Sequence, residues 1–302
     1  MKKFLVFILK GIISIVLLAI VLDYAYTLVY VKASNRGKID HVYNSKGGQY
    51  DVVILGSSRA NNHFVSEMFE EKGLKTFNFG MSASHLYEAD LLLKLMMERK
   101  YKIKNLIVEV DLNLSNNRRA EGIAAKFMPY LHQSEVVKEH FKKETDFNYL
   151  YYIPFYRYIK YDSKIGFREL SKVIQQEKTS QLDHKGYRPL DNFKKKKMSN
   201  DLVQLKPLAH NQYYEDIKRI CLEYNIRLIP ITTPMCENTK GINYFEKVIK
   251  AYPEIHNYEN KVVEDYYFSS CGHMNDRGAR KFTEIVIHDF FSQNEIVDSG
   301  IK

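Results

Sequence analysis

Short runs of consecutive apolar residues alternate along this chain with longer segments whose apolar residues recur at helical spacing. The continuous runs are typical of strands buried on both faces of a parallel sheet. We predict strands at residues 52–55, 76–79, 106–110, 227–231 and 254–258. The amphipathic segments predict helices at residues 61–72, 85–99, 213–224, 244–252 and 277–291. Pro230 within the fourth strand indicates a position near the periphery of the sheet.

This alternation predicts an α/β fold: a three-layer, flavodoxin-like parallel sheet of about five strands, with helices on both faces. We assign residues 51–302 to this domain. The pattern lapses from about residue 113 to residue 207, a stretch too long for a loop within a compact sheet. We interpret it as an inserted, partly helical cap. The lysine run at residues 194–197 lies in this cap and is expected to be a solvated loop.

The N-terminal segment is the most apolar part of the chain. Lys2 and Lys3 precede an apolar stretch that continues to Val31 and is long enough to cross a bilayer as a helix. We predict a single transmembrane anchor at residues 1–31, with its N-terminus in the cytoplasm, and a polar linker at residues 32–50. The alternative is a signal peptide, although residues 31–34 form a poor cleavage site. Either interpretation places the remaining chain outside the cytoplasm.

Composition narrows the classes of function. The 302 residues are 45% hydrophobic and 27% charged, as expected of a folded protein. The net charge of +9 is scattered and accompanies no nucleic-acid-binding motif, so no nucleic-acid partner is expected. None of the three cysteines forms a pair with zinc-site spacing, and we expect no metal and no cofactor. Cys221 is expected in the core, whereas Cys236 and Cys271 both lie in predicted strand-end loops, where a disulfide is open to them.

A serine and a histidine stand where a parallel sheet binds its ligands. Ligands of such sheets lie beyond the carboxyl ends of the strands. Gly56-Ser57-Ser58 follows the first predicted strand, and His273 precedes the last predicted helix. A serine hydroxyl becomes an effective nucleophile when an adjacent base accepts its proton. Alone, the serines are typical of a helix N-cap and the histidine of a structural hydrogen bond, but together they favour a Ser–His site.

Three short blocks carry a resemblance to a known family. Gly56-Ser57-Ser58, Asn78-Phe79-Gly80 and His273-Met274-Asn275, followed by Gly278-Ala279, resemble the SGNH (GDSL-like) hydrolase superfamily. The sequence is most similar to the membrane-anchored branch with LGSSR in its first block and HxNxxGA in its last. That branch includes factors for alginate acetylation and teichoic-acid D-alanylation. The resemblance covers residues 50–112 and 205–292 and excludes the cap.

The resemblance implies roles for individual residues. The family nucleophile falls on Ser58, the third position of the first block, and the general base falls on His273. The backbone N–H of Gly80 is implied as an oxyanion donor. Asn113 is a further candidate donor, although the usual Gly-x-Asn-Asp of the family is absent around it. Arg59 either caps the turn or binds a substrate anion, since guanidinium groups suit carboxylates and phosphates.

The acid of the site departs from the family pattern. Members commonly have Asp three residues before the histidine, and this chain has Ser270 there. A neutral hydroxyl can orient an imidazole but cannot stabilise an imidazolium as a carboxylate does. Three outcomes stay open: a working Ser58–His273 dyad, an acid supplied by Asp265 or Asp111, or an inactive site. His63, one turn beyond the nucleophile, is expected at the surface.

These residues predict a membrane-anchored serine acyltransferase or esterase that acts on acyl esters, with O-acetyl esters favoured. The substrate class implied by the resemblance is a cell-surface or secreted polysaccharide, and a multi-span membrane acyltransferase is the implied partner. The location is then a bacterial cell membrane, with the C-terminal domain outside the cytoplasm. The alternative is a catalytically degenerate SGNH-like domain that binds glycan or scaffolds a cell-envelope assembly complex.

Overall fold

The computed structural model describes residues 1–33, 36–191 and 198–292, and it confirms the predicted α/β architecture. Five parallel strands form the central sheet, and two further short pairs of strands lie outside it. In chain order the strands are β1 (Gln49–Leu55), β2 (Thr76–Asn78), β3 (Lys102–Glu109), β4 (Asn200–Asp201), β5 (Arg227–Thr232), β6 (Thr239–Lys240), β7 (His256–Asn257), β8 (Phe268–Ser270) and β9 (His273–Met274).

Helices cover both faces of the sheet. In chain order they are α1 (Lys2–Lys32), α2 (Lys38–Asn44), α3 (Ser58–His63), α4 (Ser66–Glu70), α5 (Leu86–Glu98), α6 (Glu121–Ala124), α7 (Glu135–Phe141), α8 (Phe147–Tyr152), α9 (Tyr156–Lys160), α10 (Asp162–Ile165), α11 (Phe167–Ile174), α12 (Gln212–Glu223), α13 (Tyr244–Ala251) and α14 (Asp276–Phe291). Short 3-10 turns lie at Asp111–Ser115, Ala125–Tyr130, Asp183–Gly186 and Asp265–Tyr267.

The order of the sheet strands is β2-β1-β3-β5-β7, which fixes where a ligand site is expected. After β1 the chain forms β2 on one side of β1 and then β3 on the opposite side of β1. The topological switch point therefore lies between β1 and β3. Crevices at such a point are the usual ligand sites of doubly wound sheets. Pro230 of β5 pairs with Val108 of β3, and the pairing of β5 with β7 starts only at Ile231. The proline therefore lies near the periphery, as expected.

Side chains of each strand point alternately to two cores. Val53 and Leu55 of β1 pack into the core that α5 and α12 cover. Val52 and Ile54 pack into the opposite core, with α3, α4 and α14. All four side chains are fully buried, in agreement with the uninterrupted apolar run of a central strand. Cys221 is free and buried in the first core, as predicted.

The single helix predicted at residues 61–72 is wrong: the structure has α3 and α4 instead, separated at Phe64 and Val65. Polar side chains form hydrogen bonds with the backbone groups that have no helical partner at this break. The Asn78 amide donates to the carbonyl of Phe64 at 3.0 Å, and Thr283 Oγ1 accepts the N–H of Val65 at 3.0 Å. Buried backbone groups need such partners. The break turns the chain so that both short helices remain on the sheet.

The segment expected to be a polar linker contains structure. Helix α2 lies within residues 32–50, and β1 begins at Gln49. Lys38 at the start of α2 is buried, and its ammonium donates to Asn61 Oδ1, Gly80 O and Gly186 O at 2.6–2.7 Å. Three acceptors around one ammonium explain why this part of the segment packs against the domain.

The inserted region at about residues 113–207 is partly helical, with α6 to α11 and two 3-10 turns. Its buried side chains, Phe127, Tyr130 and Phe141 among them, join the core on the α5 side of the sheet. The lysine run at residues 194–197 lies outside the described residues. Helix α1 is long and apolar enough to cross a membrane, and the most apolar part of it is fully exposed.

Candidate active site

A tight turn after β1 presents Ser58. Gly56 has a φ of +141°, and a Cβ there would lie 2.8 Å from the Glu109 Cβ and 2.9 Å from the Ala60 Cβ, so only glycine fits. Ser57 is the N-cap of α3, and its hydroxyl accepts the N–H of Arg59 at 3.2 Å. Ser58 is the first residue of α3, where a backbone N–H has no intrahelical acceptor.

A two-residue turn presents His273. Ser270 of β8 pairs with His273 of β9 across the turn formed by Cys271 and Gly272, and Gly272 has a φ of +86°. The residue three positions before the histidine is therefore its cross-strand neighbour. Ser270 Oγ lies 3.4 Å from His273 Nδ1, at the long limit of a hydrogen bond. A disulfide between Cys271 and Cys236 ties this turn to the loop after β5 and forms the pair that the sequence left open.

Ser58 and His273 meet across the end of the sheet, as predicted. Ser58 Oγ lies 2.8 Å from His273 Nε2, although the two residues are 215 positions apart in the chain. When Ser58 donates to Nε2, the ring proton of the neutral imidazole is on Nδ1, and Nδ1–H donates to Ser270 Oγ. This is the geometry in which the imidazole can accept the serine proton.

Burial keeps His273 in the form that can accept a proton. Desolvation lowers the pKa of His273 below its ordinary value of 6.5, the nearby Arg59 guanidinium lowers it further, and the Glu109 carboxylate opposes both. The imidazole is therefore mainly neutral at pH 7. The described residues place no carboxylate within hydrogen-bonding distance of its Nδ1. Asp265 begins the 3-10 turn before β8 and makes no hydrogen bond to His273.

Glu109 supports the turn that carries Ser58. Its Oε2 accepts the Ser57 N–H at 2.7 Å and the Ser57 hydroxyl at 2.5 Å, while its Oε1 is buried without a partner. Because Glu109 ends β3, these bonds tie the turn after β1 to the neighbouring strand across the switch point. Charge-assisted hydrogen bonds of this kind are stronger than neutral ones and fix the direction of the turn.

Arg59 points into the protein. Its Nε lies 2.7 Å from Asp111 Oδ2, and its Nη2 donates to the carbonyls of Thr233 and Pro234 at 2.8 and 2.9 Å. Only 5% of the residue is exposed, and its Nη1 is buried without a partner. A substrate-anion role for Arg59 would require breaking these internal contacts. Asp111 is held by Arg59 and Thr233, so it is not the partner of His273 in this arrangement.

His63 is fully buried, so the expectation that it lies at the surface is wrong. Its Nε2 accepts the N–H of Met274 at 3.1 Å, which places the ring proton on Nδ1, 3.0 Å from Thr233 Oγ1. Burial and the nearby Arg59 and His273 hold the pKa of His63 well below 6.5. The neutral ring therefore connects the residue after His273 to the loop after β5.

The two predicted oxyanion donors differ in what they contact. The Gly80 N–H donates to Asn78 Oδ1 at 2.9 Å, so an oxyanion would have to share or replace that acceptor. Asn113 lies in the 3-10 turn after β3 and is 9% exposed. Its hydrogen bonds within the described chain are made by its backbone, to Val110, Asn116 and Asn211, and none joins it to Ser58.

Sequence reasoning missed two members of this site. Glu109 is the one charged residue within the apolar run at residues 106–110, and a charge in a buried strand is a signal that its carboxylate has a partner. His63 carries no comparable signal, because its helix is too short to show a buried face. Thr233 lies just after the fourth predicted strand, but its contacts with Asp111 and His63 depend on the tertiary structure.

No protein-family model matches this chain, and no curated protein matches it. The resemblance to SGNH hydrolases therefore stays a prediction, which rests on the residues of the three blocks. The geometry adds that the first and last of these blocks meet at Ser58 and His273.

Proposed function

We propose that this protein is a membrane-anchored SGNH-type serine acyltransferase or esterase that acts on acyl esters, with O-acetyl esters favoured. The observation that carries the proposal is the 2.8 Å contact between Ser58 Oγ and His273 Nε2 at the switch point of the sheet. A serine hydroxyl bonded to a neutral imidazole is the minimal arrangement for acyl transfer. The lowered pKa of His273 supports the role of base at neutral pH.

The proposed reaction has two steps. Ser58 Oγ attacks the ester carbonyl while His273 Nε2 takes its proton, and the N–H of Ser58 donates to the developing oxyanion. The carbon–oxygen bond of the ester then breaks, the leaving alkoxide takes the proton from Nε2, and Ser58 remains acylated. In the second step a hydroxyl or a water molecule gives its proton to His273 Nε2 and attacks the acyl-serine; the bond between the acyl carbon and Ser58 Oγ then breaks, and Ser58 takes the proton back from Nε2. A polymer hydroxyl makes the protein a transferase, and water makes it an esterase.

The proposed substrate is a polysaccharide at the outer surface of a bacterial cell membrane, with a multi-span acyltransferase as the supplier of acyl groups. Helix α1 supports membrane attachment because it is long and apolar enough to span a bilayer. The disulfide between Cys236 and Cys271 supports an oxidising compartment, outside the cytoplasm.

The proposal is tested with a fluorophosphonate probe and p-nitrophenyl acetate on the full-length protein in detergent. We expect the probe to label the wild type and the Ser57→Ala variant but not Ser58→Ala. Labelling of His273→Ala should be slower by at least about 100-fold, because the serine loses its base. A matched variant at an exposed histidine, His288→Ala, should label at the wild-type rate.

A second candidate function is a binding module without catalysis. Ser270 in place of a carboxylate and the Asn78 acceptor already bonded to the Gly80 N–H favour it. A folded wild-type protein that is neither labelled nor active on the ester would support this candidate and exclude the acyltransferase. Equal labelling of the wild type and of Ser58→Ala would also count against the proposed site.

A further inference from the structure

A cavity of about 260 Å³ lies between the end of α1, the start of α2 and the cap. Its wall includes Gly80 and Asn61 but neither Ser58 nor His273. Five of its lining residues are basic and two are acidic. The basic residues are Arg36, Lys38, Lys126, Lys164 and Arg188.

The two acidic residues of the wall make their hydrogen bonds and ion pairs with groups other than the basic side chains of the wall. Asp40 accepts the backbone N–H of Arg36 at 2.7 Å, and burial raises the pKa of its carboxyl to about 6. Glu169 lies 2.9 Å from Lys172 and 3.3 Å from Arg168, both outside the cavity wall. Neither carboxylate forms an ion pair with a basic residue of the wall.

Three of the basic side chains have no partner among the described residues. Lys126, Lys164 and Arg188 form no side-chain hydrogen bond and no ion pair within residues 1–33, 36–191 and 198–292. Lys126 is half-buried, and the other two are exposed at the rim. Burial and the nearby Lys164 lower the pKa of Lys126, while the Asp40 and Glu169 carboxylates of the wall oppose this shift. Unpaired like charges around a concave wall are unfavourable unless an anion lies between them.

The cavity lies close to the bilayer if α1 spans it. Residues 4–22 of α1 are about 28 Å long, which matches the hydrocarbon thickness of a bilayer. Tyr30 in the last turn of the same helix and Ala33 at its C-cap line the cavity. Large apolar side chains on the neighbouring cap helices are exposed, as is typical of residues at a membrane interface. They are Tyr149, Tyr152, Ile153, Ile159 and Phe167.

We propose that this cavity binds the phosphate of an anionic headgroup at the membrane surface, with Lys126, Lys164 and Arg188 as its ligands. The ammonium and guanidinium groups would donate charge-assisted hydrogen bonds to the phosphate oxygens. Lys38 stays bonded to its three internal acceptors and closes the inner wall. Because the wall excludes Ser58 and His273, the binding does not depend on the proposed acyl transfer.

The test is isothermal titration calorimetry on the full-length protein in dodecyl maltoside. The probes are dihexanoyl phosphatidylglycerol, sn-glycerol 1-phosphate and, as a zwitterionic control, dihexanoyl phosphatidylcholine. We expect saturable binding of phosphatidylglycerol that weakens with added salt. The double variant Lys126→Gln/Lys164→Gln should raise its Kd at least about tenfold, and Arg188→Gln should act in the same direction.

The matched control removes two exposed lysines elsewhere, in the double variant Lys72→Gln/Lys102→Gln, and should bind like the wild type. Ser58→Ala should also bind like the wild type, which separates this site from the proposed catalysis. If phosphatidylglycerol and glycerol phosphate both bind, the phosphate headgroup accounts for the affinity. If only phosphatidylglycerol binds, the site also requires contacts with the acyl chains of the lipid. The proposal is overturned if neither anionic probe binds saturably, if phosphatidylcholine binds equally well, or if both double variants lose the same affinity.

Discussion

At the scale of single residues, the bond between Ser270 and His273 limits the proposed catalysis. The hydroxyl lies 3.4 Å from Nδ1, so it orients the imidazole only weakly. It carries no charge that would stabilise an imidazolium. The two-residue turn makes this position the cross-strand neighbour of the histidine, so a carboxylate here would face the ring.

We therefore predict that Ser270→Asp increases the rate of probe labelling by at least about tenfold, because a carboxylate stabilises the imidazolium that forms when Ser58 reacts. The neutral imidazole is the active form, and desolvation lowers the pKa of His273 below 6.5. The labelling rate of the wild type should thus fall to half its maximum at a pH below 6.5. A carboxylate favours the charged ring and raises its pKa, so the midpoint of the variant should move to higher pH.

The control for this prediction is Ser269→Asp. It adds the same charge one residue earlier, at a position that has no cross-strand partner in the pairing of β8 with β9 and makes no hydrogen bond to His273 among the described residues. Its rate and midpoint should stay close to those of the wild type. A midpoint that is unchanged or lower in Ser270→Asp would show that the aspartate does not reach the imidazole.

At the scale of elements, the disulfide holds the hairpin that carries His273. Cys271 lies in the turn between β8 and β9, and Cys236 lies in the loop after β5, whose Thr233 contacts Arg59, His63 and Asp111. Strand β9 has only two residues, so the hairpin has few backbone hydrogen bonds of its own. It is also attached through the buried side chains of Phe268 and Met274 and through the Met274 N–H, which donates to His63.

We predict that the double variant Cys236→Ser/Cys271→Ser lowers both stability and labelling rate. Opening a cross-link between residues 35 positions apart removes about 4 kcal/mol in the chain-entropy description. Thermal unfolding followed by circular dichroism, and labelling measured well below the Tm, report the two effects separately. Cys221→Ala, which leaves the disulfide intact, should label at the wild-type rate. Equal labelling rates in the wild type and the double serine variant would show that the hairpin keeps its position without the bond.

The sequence predicted the elements that local patterns determine, and it missed those that tertiary contacts determine. Strands β1 and β3 are visible through the continuous apolar runs in their buried halves, and α5 is visible because its apolar residues recur at helical spacing. The break at Phe64 and Val65 is invisible, because the partners that bond its backbone, Asn78 and Thr283, come from later elements. The Ser58–His273 pair was predictable from the order of the blocks, whereas the buried contacts of His63 were not.

At the scale of the whole molecule, the end of α1 belongs to the folded domain. Asp23 lies 2.8 Å from Arg157 and accepts the N–H of Phe155 at 2.8 Å. Thr27 Oγ1 lies 2.8 Å from both Arg157 Nη2 and the hydroxyl of Tyr158. Arg157 is only 1% exposed, so the cap buries a guanidinium whose hydrogen-bond partners both come from α1. A helix removed by cleavage would leave this charge unpaired.

We predict that two N-terminal truncations differ in stability. Deletion of residues 2–22 retains Asp23 and Thr27 and should leave the Tm of the domain near that of the full-length protein. Deletion of residues 2–32 should destabilise it by about 3 kcal/mol or more, because removing one partner of a buried ion pair leaves a charge without compensation. Differential scanning calorimetry of both truncated proteins in the same detergent measures the difference. Equal Tm values would show that the cap is stable without α1.

The expected result favours a retained anchor over a cleaved signal peptide, because cleavage after Val31 would remove every α1 contact of Arg157. The intact mass of the protein purified from membranes should then include residues 1–32.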